Sequence, residues 1–164
     1  MINNMGFSLT GLIMAFLLII PNILYFIFPA KNKPQDINNN VSKLFLIIEK
    51  IGQIMCIIIL IFSKDNFSLK GINVWNILYL VFVALYYGVW LRYVVNDGEY
   101  KYLYSPVFKI PFPMIITSFL ALLFASIYGS SILLFIASLI YGLGASYNGY
   151  YHYKIIRNGE NNYE

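Results

Sequence analysis

The chain reads as an all-α, polytopic membrane protein. It forms a single domain over residues 1–164, a bundle of five transmembrane helices with the N-terminus outside and the C-terminus inside. Three observations point there. Hydrophobic residues make up 60% of the sequence and charged residues only 11%, against about 25% charged in a soluble domain. Five apolar stretches approach the ~20 residues that a helix needs to cross the hydrocarbon core. These stretches are continuous and lack the alternation of a barrel strand, so helices are the spanning element.

The elements follow in order. The first span, 7–28, is free of charge and holds Pro21, which removes a helix hydrogen bond, frees a carbonyl near Leu17 and predicts a kink. Residues 1–10 contain no Lys or Arg, so this span is expected to be retained and not cleaved as a signal peptide. A polar loop with Lys31, Lys33, Pro34 and three consecutive asparagines leads to the second span, 44–62, which carries Glu49 and Lys50. The third runs over 72–94. The fourth, 110–128, opens on Pro111 and Pro113, where a helix's first amides are unpaired anyway. The fifth, 132–151, follows the turn Gly129, Ser130, Ser131, so the last two spans form an antiparallel hairpin.

Small residues recur every four positions in that hairpin. Ala121, Ala125 and Gly129 lie in the fourth span, and Ser138, Gly142 and Ser146 in the fifth, with Ala145 and Gly149 on a neighbouring stripe. Such stripes permit close helix approach. They fit either a tight pair within the chain or the seam of a homo-oligomer.

Charge sets the orientation. With the N-terminus outside, the inner side carries Lys31, Lys33, Lys43, Arg92, Lys101, Lys109, Lys154 and Arg157, and the outer side only Lys64 and Lys70. That asymmetry follows the positive-inside rule. The same scatter of basic residues among short loops excludes a nucleic-acid-binding face. Tyr100, Tyr102, Tyr104, Tyr150, Tyr151 and Tyr153 read as an interfacial aromatic belt.

Ionisable groups at membrane depth are costly, about 2.5–3.5 kcal/mol for Asp, Lys or Arg at a helix centre. Glu49 therefore draws attention. It shares a helix face with Gly52, Gln53 and Cys56, at i, i+3, i+4 and i+7. Lys50 is rotated about 100° away, toward the headgroups. All five spans place polar residues in the cytoplasmic half. The expected ligand-binding group is Glu49, Gln53, Asn22, Tyr87 and Arg92. Glu49 would be the charged or protonatable centre. Asn22, Gln53 and Tyr87 would form a hydrogen-bonding wall, and Arg92 would meet an anionic group at the rim. Partners for Glu49 are sought among Asn22, Tyr87, Arg92 and His152. The plainer readings are that Glu49 is helix glue, Arg92 a positive-inside anchor and His152 an interfacial residue.

One His and one Cys exclude a zinc site, an internal disulfide and a CxxC redox pair. No GxSxG elbow and no phosphate-binding glycine loop is present. No metal and no cofactor is expected.

The run Tyr86-Tyr87-Gly88-Val89-Trp90-Leu91-Arg92-Tyr93, followed by Pro111-Phe112-Pro113-Met114, resembles small uncharacterised multi-span membrane proteins of bacteria. The resemblance covers spans three to five. It implies a bacterial cytoplasmic membrane protein and carries over no activity and no site residue.

The expected function is non-enzymatic, transport-related binding of a small molecule or lipid in a polar pocket of the cytoplasmic half. The expected partners are membrane lipid and that ligand, with no nucleic acid. A lipid-modifying enzyme of the inner leaflet, using Glu49 as acid or base with His152 or Tyr87, is the alternative. So is an accessory subunit of a membrane complex. A reporter fused to the C-terminus is expected to read as cytoplasmic in a topology assay; an outside signal would reverse the orientation.

Overall fold

Lipid offers backbone groups no hydrogen-bond partner, so a chain this apolar must satisfy them within helices. A computed structural model of the chain describes residues 6–34, 41–63, 73–107 and 110–160, and these fold into helices without a named strand. In order they are α1 (Leu9–Ile27), α2 (Lys43–Phe62), α3 (Val74–Val95), the single turn α4 (Lys101–Tyr104), α5 (Pro113–Tyr128) and α6 (Ile132–Glu160). Four of them, α1, α2, α3 and α6, are long and apolar enough to cross a membrane. Lys64, Lys70 and Lys109, which enter the charge count, lie outside the described residues, as do Ile72 and positions 35–40.

Two boundaries differ from expectation. Residues 110–112 are not helical, and α5 starts at Pro113 and runs for 16 residues. Phe112 sits in the left-handed region at φ 36°, and Pro113 takes the first helical position. The chain therefore turns into the helix at Pro113. The last helix runs past 151 to Glu160. At 29 residues it measures about 43 Å, longer than a hydrocarbon core of about 30 Å. The first helix continues unbroken through the buried Pro21.

Glycines set the closest packing. A Cβ on Gly52 of α2 would collide with the Tyr141 backbone of α6, and one on Gly144 of α6 with the Glu49 backbone of α2. Phe45 and Tyr147 stack across the same pair, with ring centroids 3.9 Å apart. On another face of α6, Gly142 lies against the Phe119 ring and Gly149 against Ile115, both on α5. Ala121, Ala125, Ser138 and Ala145 are fully buried within the chain. The small-residue stripes thus serve contacts inside one protomer, and α6 meets the backbone of α2 as well as the side chains of α5. On the far side, α5 meets α3 through the Phe124 ring, stacked on Phe82 and Trp75.

The first helix is held differently at its two ends. At its start, Gly6 N–H donates to Phe62 O (3.0 Å) and Ser8 N–H to Ile61 O (2.8 Å), and Gly11 lies against the Leu60 carbonyl. Along its length, three tyrosines of α3 spaced seven apart donate to α1 and its C-cap Phe28. Tyr79 reaches Met14 O (2.8 Å), Tyr86 reaches Asn22 Oδ1 (3.1 Å) and Tyr93 reaches Phe28 O (2.7 Å). The outward faces of α1, α2 and α3 expose Ile13, Phe16, Ile47, Ile54, Ile58 and Leu80. Large apolar faces of this kind belong against lipid. The architecture is that of a membrane-embedded protein.

Gly52→Ala and Gly144→Ala are each expected to destabilise the protein by about 1–3 kcal/mol, because a methyl group forces two backbones apart. Gly88→Ala, where a Cβ meets nothing within 4 Å, is expected to leave stability unchanged. Thermal unfolding of the three variants in detergent checks this.

Candidate functional site

Close contact at Gly144 brings the middle of α6 onto the first half of α2. Glu49 then faces Asn148, and Asn148 Nδ2 donates to Glu49 Oε2. Among the described residues, no lysine or arginine nitrogen comes within salt-bridge distance of this carboxylate. Its neighbour Lys50 is exposed. The adjacent face of α2 also turns inward, with Gly52 and Cys56 buried and Gln53 half-buried.

Glu49, Lys50, Gln53 and Asn148 line a cavity of about 550 Å³ among α1, α2, α3, α5 and α6. Its polar lining includes Asn22, Glu49, Gln53, Tyr86, Ser118, Asn148 and His152; Tyr25, Trp90, Tyr104 and Tyr141 supply aromatic walls. It reaches the surface at Phe26, Lys33 and Lys50, all exposed. A smaller void of about 30 Å³ continues deeper, past Gln53, Ser118 and Tyr141 to Cys56 and Leu60.

The connection from α3 to α5 crosses the cavity at the same end of the bundle as this opening and forms its floor there, opposite the deeper void. Lys31 and the turn at residue 99 pair through a single parallel bridge: Lys31 N–H donates to Gly98 O (2.8 Å) and Tyr100 N–H to Lys31 O (3.0 Å). That pairing turns Tyr100 inward, only 3% exposed. Tyr100 Oη lies 2.8 Å from His152 Nδ1, and the Tyr104 ring stacks on the imidazole at 4.7 Å. Burial pushes both phenols well above the ordinary tyrosine range, and the Glu49 charge adds to the rise at Tyr104. Both hydroxyls therefore keep their protons at neutral pH.

Three of the five residues picked from sequence, Asn22, Glu49 and Gln53, meet at this cavity. Tyr87 does not line it; Tyr86, one position earlier, is on the face turned to α1 and takes that place. Arg92 does not form the rim. Its Nη1 donates to Ser105 O (3.2 Å), its Nη2 to Ser105 Oγ (3.0 Å), and its guanidinium lies 5.1 Å from the Tyr102 ring centre. It braces the floor from outside. The hydrogen-bond partner of Glu49 is Asn148, not Asn22, Tyr87, Arg92 or His152. Tyr100 and Tyr104 leave the expected aromatic belt because the loop pairing folds them inward, where they meet His152 of α6. The seven-residue spacing of Tyr79, Tyr86 and Tyr93 was the signal that could have separated Tyr86 from Tyr87.

Among the described residues, Asn148 Oδ1 is buried without a hydrogen-bond partner. Asn148 lines the cavity. An orphaned acceptor is costly in a buried setting. The arrangement can accept hydrogen bonds at Glu49 and Asn148 and cover an apolar group with aromatic rings. Among the described residues no cluster of three His, Cys, Asp or Glu side chains could hold a metal ion. No family model, curated protein or solved structure matches the chain.

Asn148→Leu is expected to destabilise the protein by about 1–2 kcal/mol, since it strands a half-buried carboxylate. Adding Glu49→Leu is expected to recover most of that loss, because removing both partners leaves nothing unpaired. A double-mutant cycle on thermal unfolding reads the coupling.

Proposed function

We propose that the chain is a non-enzymatic, transport-related binding protein whose cavity takes a small amphiphilic molecule or a lipid. The observation that carries this reading is the buried, unpartnered Asn148 Oδ1 beside the Glu49 carboxylate in the lining of one cavity. Such acceptors are satisfied when a bound molecule offers donors.

The finer topology belongs to the same proposal. Five spans, with residues 110–112 completing the short α5, put the N-terminus outside and the cavity mouth at the cytoplasmic face. The position of exposed Lys33 at the mouth, with Lys31 paired to the cavity floor, supports that orientation. The resemblance of residues 86–93 and 111–114 supports a bacterial-type cytoplasmic membrane.

Binding without catalysis is favoured by the state of the hydroxyl closest to a nucleophile's role. Ser118 Oγ donates to Ile115 O (3.0 Å) and lies 2.8 Å from Tyr141 Oη, while His152 is engaged by Tyr100. A serine activated by a base would pair with the imidazole instead.

Native mass spectrometry of the protein extracted gently from its own membrane, beside Glu49→Ala, tests the reading. The wild-type chain is expected to carry a small molecule or lipid that the variant loses. An unliganded wild-type protein that co-purifies with a stoichiometric partner would favour an accessory subunit instead.

A further inference from the structure

The cavity's chemistry selects one class of ligand. Among the described residues, Glu49 is the only carboxylate in its lining, and it has a neutral hydrogen-bond partner and no cation within salt-bridge distance. Because Asn148 Nδ2 donates to that carboxylate, Asn148 Oδ1 is left as a second acceptor beside it, buried and unpartnered. Around these acceptors stand the faces and edges of Trp90, Tyr25, Tyr104 and Tyr141. Trp90 is 4% exposed and its ring meets Tyr25 edge-on at 6.2 Å. A carboxylate, a neutral acceptor and a wall of electron-rich rings are jointly complementary to a cation that carries N–H donors and an apolar body.

Resting on the binding reading above, we infer that the cavity holds the protonated amine of an amphiphile. Its N–H groups donate to the Glu49 carboxylate and to Asn148 Oδ1, and its apolar part lies along Trp90 and Tyr104 toward Phe26. Lys33 and Lys50 also stand at the mouth, but both are exposed, where water and salt screen them. The half-buried Glu49 is screened far less, so it governs the sign of charge accepted inside. The amine can come from a free amphiphile or from the ethanolamine headgroup of a phospholipid.

Trp90 supplies the readout. Trp75 is the other of the chain's two tryptophans and lies on the α5 side of α3, stacked on Phe124, so Trp75→Phe leaves Trp90 as the sole reporter. The Trp75→Phe protein in phosphatidylglycerol nanodiscs is titrated with phenethylamine and, separately, with phenethyl alcohol, its uncharged counterpart. Saturable change of Trp90 fluorescence by the amine, with the alcohol and the Glu49→Gln variant each weaker by about tenfold or more, is the expected result. Glu49→Gln keeps a hydrogen-bonding partner for Asn148, and its thermal unfolding checks its fold. Where that variant does not fold, the contrast between amine and alcohol decides alone. Adding phosphatidylethanolamine to the nanodiscs separates the sources. Competition with phenethylamine assigns the amine to the lipid headgroup, and its absence assigns it to a free amphiphile; both support the inference. Equal binding of amine and alcohol, unchanged in Glu49→Gln, overturns the amine assignment and leaves the binding reading standing. No response to either probe, together with an unliganded protein in native mass spectrometry, overturns both.

Discussion

Two glycines, Gly52 on α2 and Gly144 on α6, let a pair of helix backbones meet where any side chain would collide. In lipid no hydrophobic force drives helices together, so association rests on close packing and hydrogen bonds. The glycine contact supplies the packing. It also brings Glu49 and Asn148 within hydrogen-bond reach, so that the second contribution depends on the first. The position of α6 then decides where α5 lies, through Gly142 and Gly149 on another of its faces. The placement of Glu49, the lining of the cavity and the seat of α5 all trace back to this contact.

The cavity exists because α1 is gripped unequally. At one end it lies against α2 through Gly11 and two backbone hydrogen bonds. At the other end α3 takes over: Tyr86 and Tyr93 hold Asn22 and the carbonyl of Phe28. The residues of α1 and α2 near that end, Tyr25, Phe26, Leu46 and Lys50, line open space instead of one another. Hydrogen-bonded tyrosines do this without stranding a polar group, since each hydroxyl satisfies an acceptor on α1 or its C-cap. The floor is built the same way. The guanidinium of Arg92 fixes Ser105, and the backbone pairing of Lys31 with Gly98 and Tyr100 turns two tyrosines under the cavity.

A half-buried carboxylate with only an amide for company is the electrostatic consequence. Removing such a group from water is unfavourable unless its charge is met by hydrogen bonds, by a proton or by a cation. Asn148 provides one hydrogen bond and leaves its own carbonyl oxygen without a partner. Helix glue alone would leave no orphaned acceptor beside the carboxylate. The proposal that the site receives a molecule rests on this unpartnered acceptor.

The all-helical class and the four long apolar helices were legible in the sequence, because hydrophobic run length and the absence of charge answer directly to the thickness of a bilayer. The inward face of α2 was legible too, since Glu49, Gly52, Gln53 and Cys56 obey a helical period that survives folding. Partner choice was not. Glu49 and Asn148 are far apart in the chain, and only the Gly144 contact makes them neighbours. Tyr86 and Tyr87 differ by one helical step, and only the position of α1 tells which faces inward. Arg92 carries a charge that composition assigns to the rim, yet the fold of the 96–107 connection gives it Ser105. Local periodicity determines which face a helix buries; which groups meet across that face is decided by long-range packing, and that is where the site was assembled.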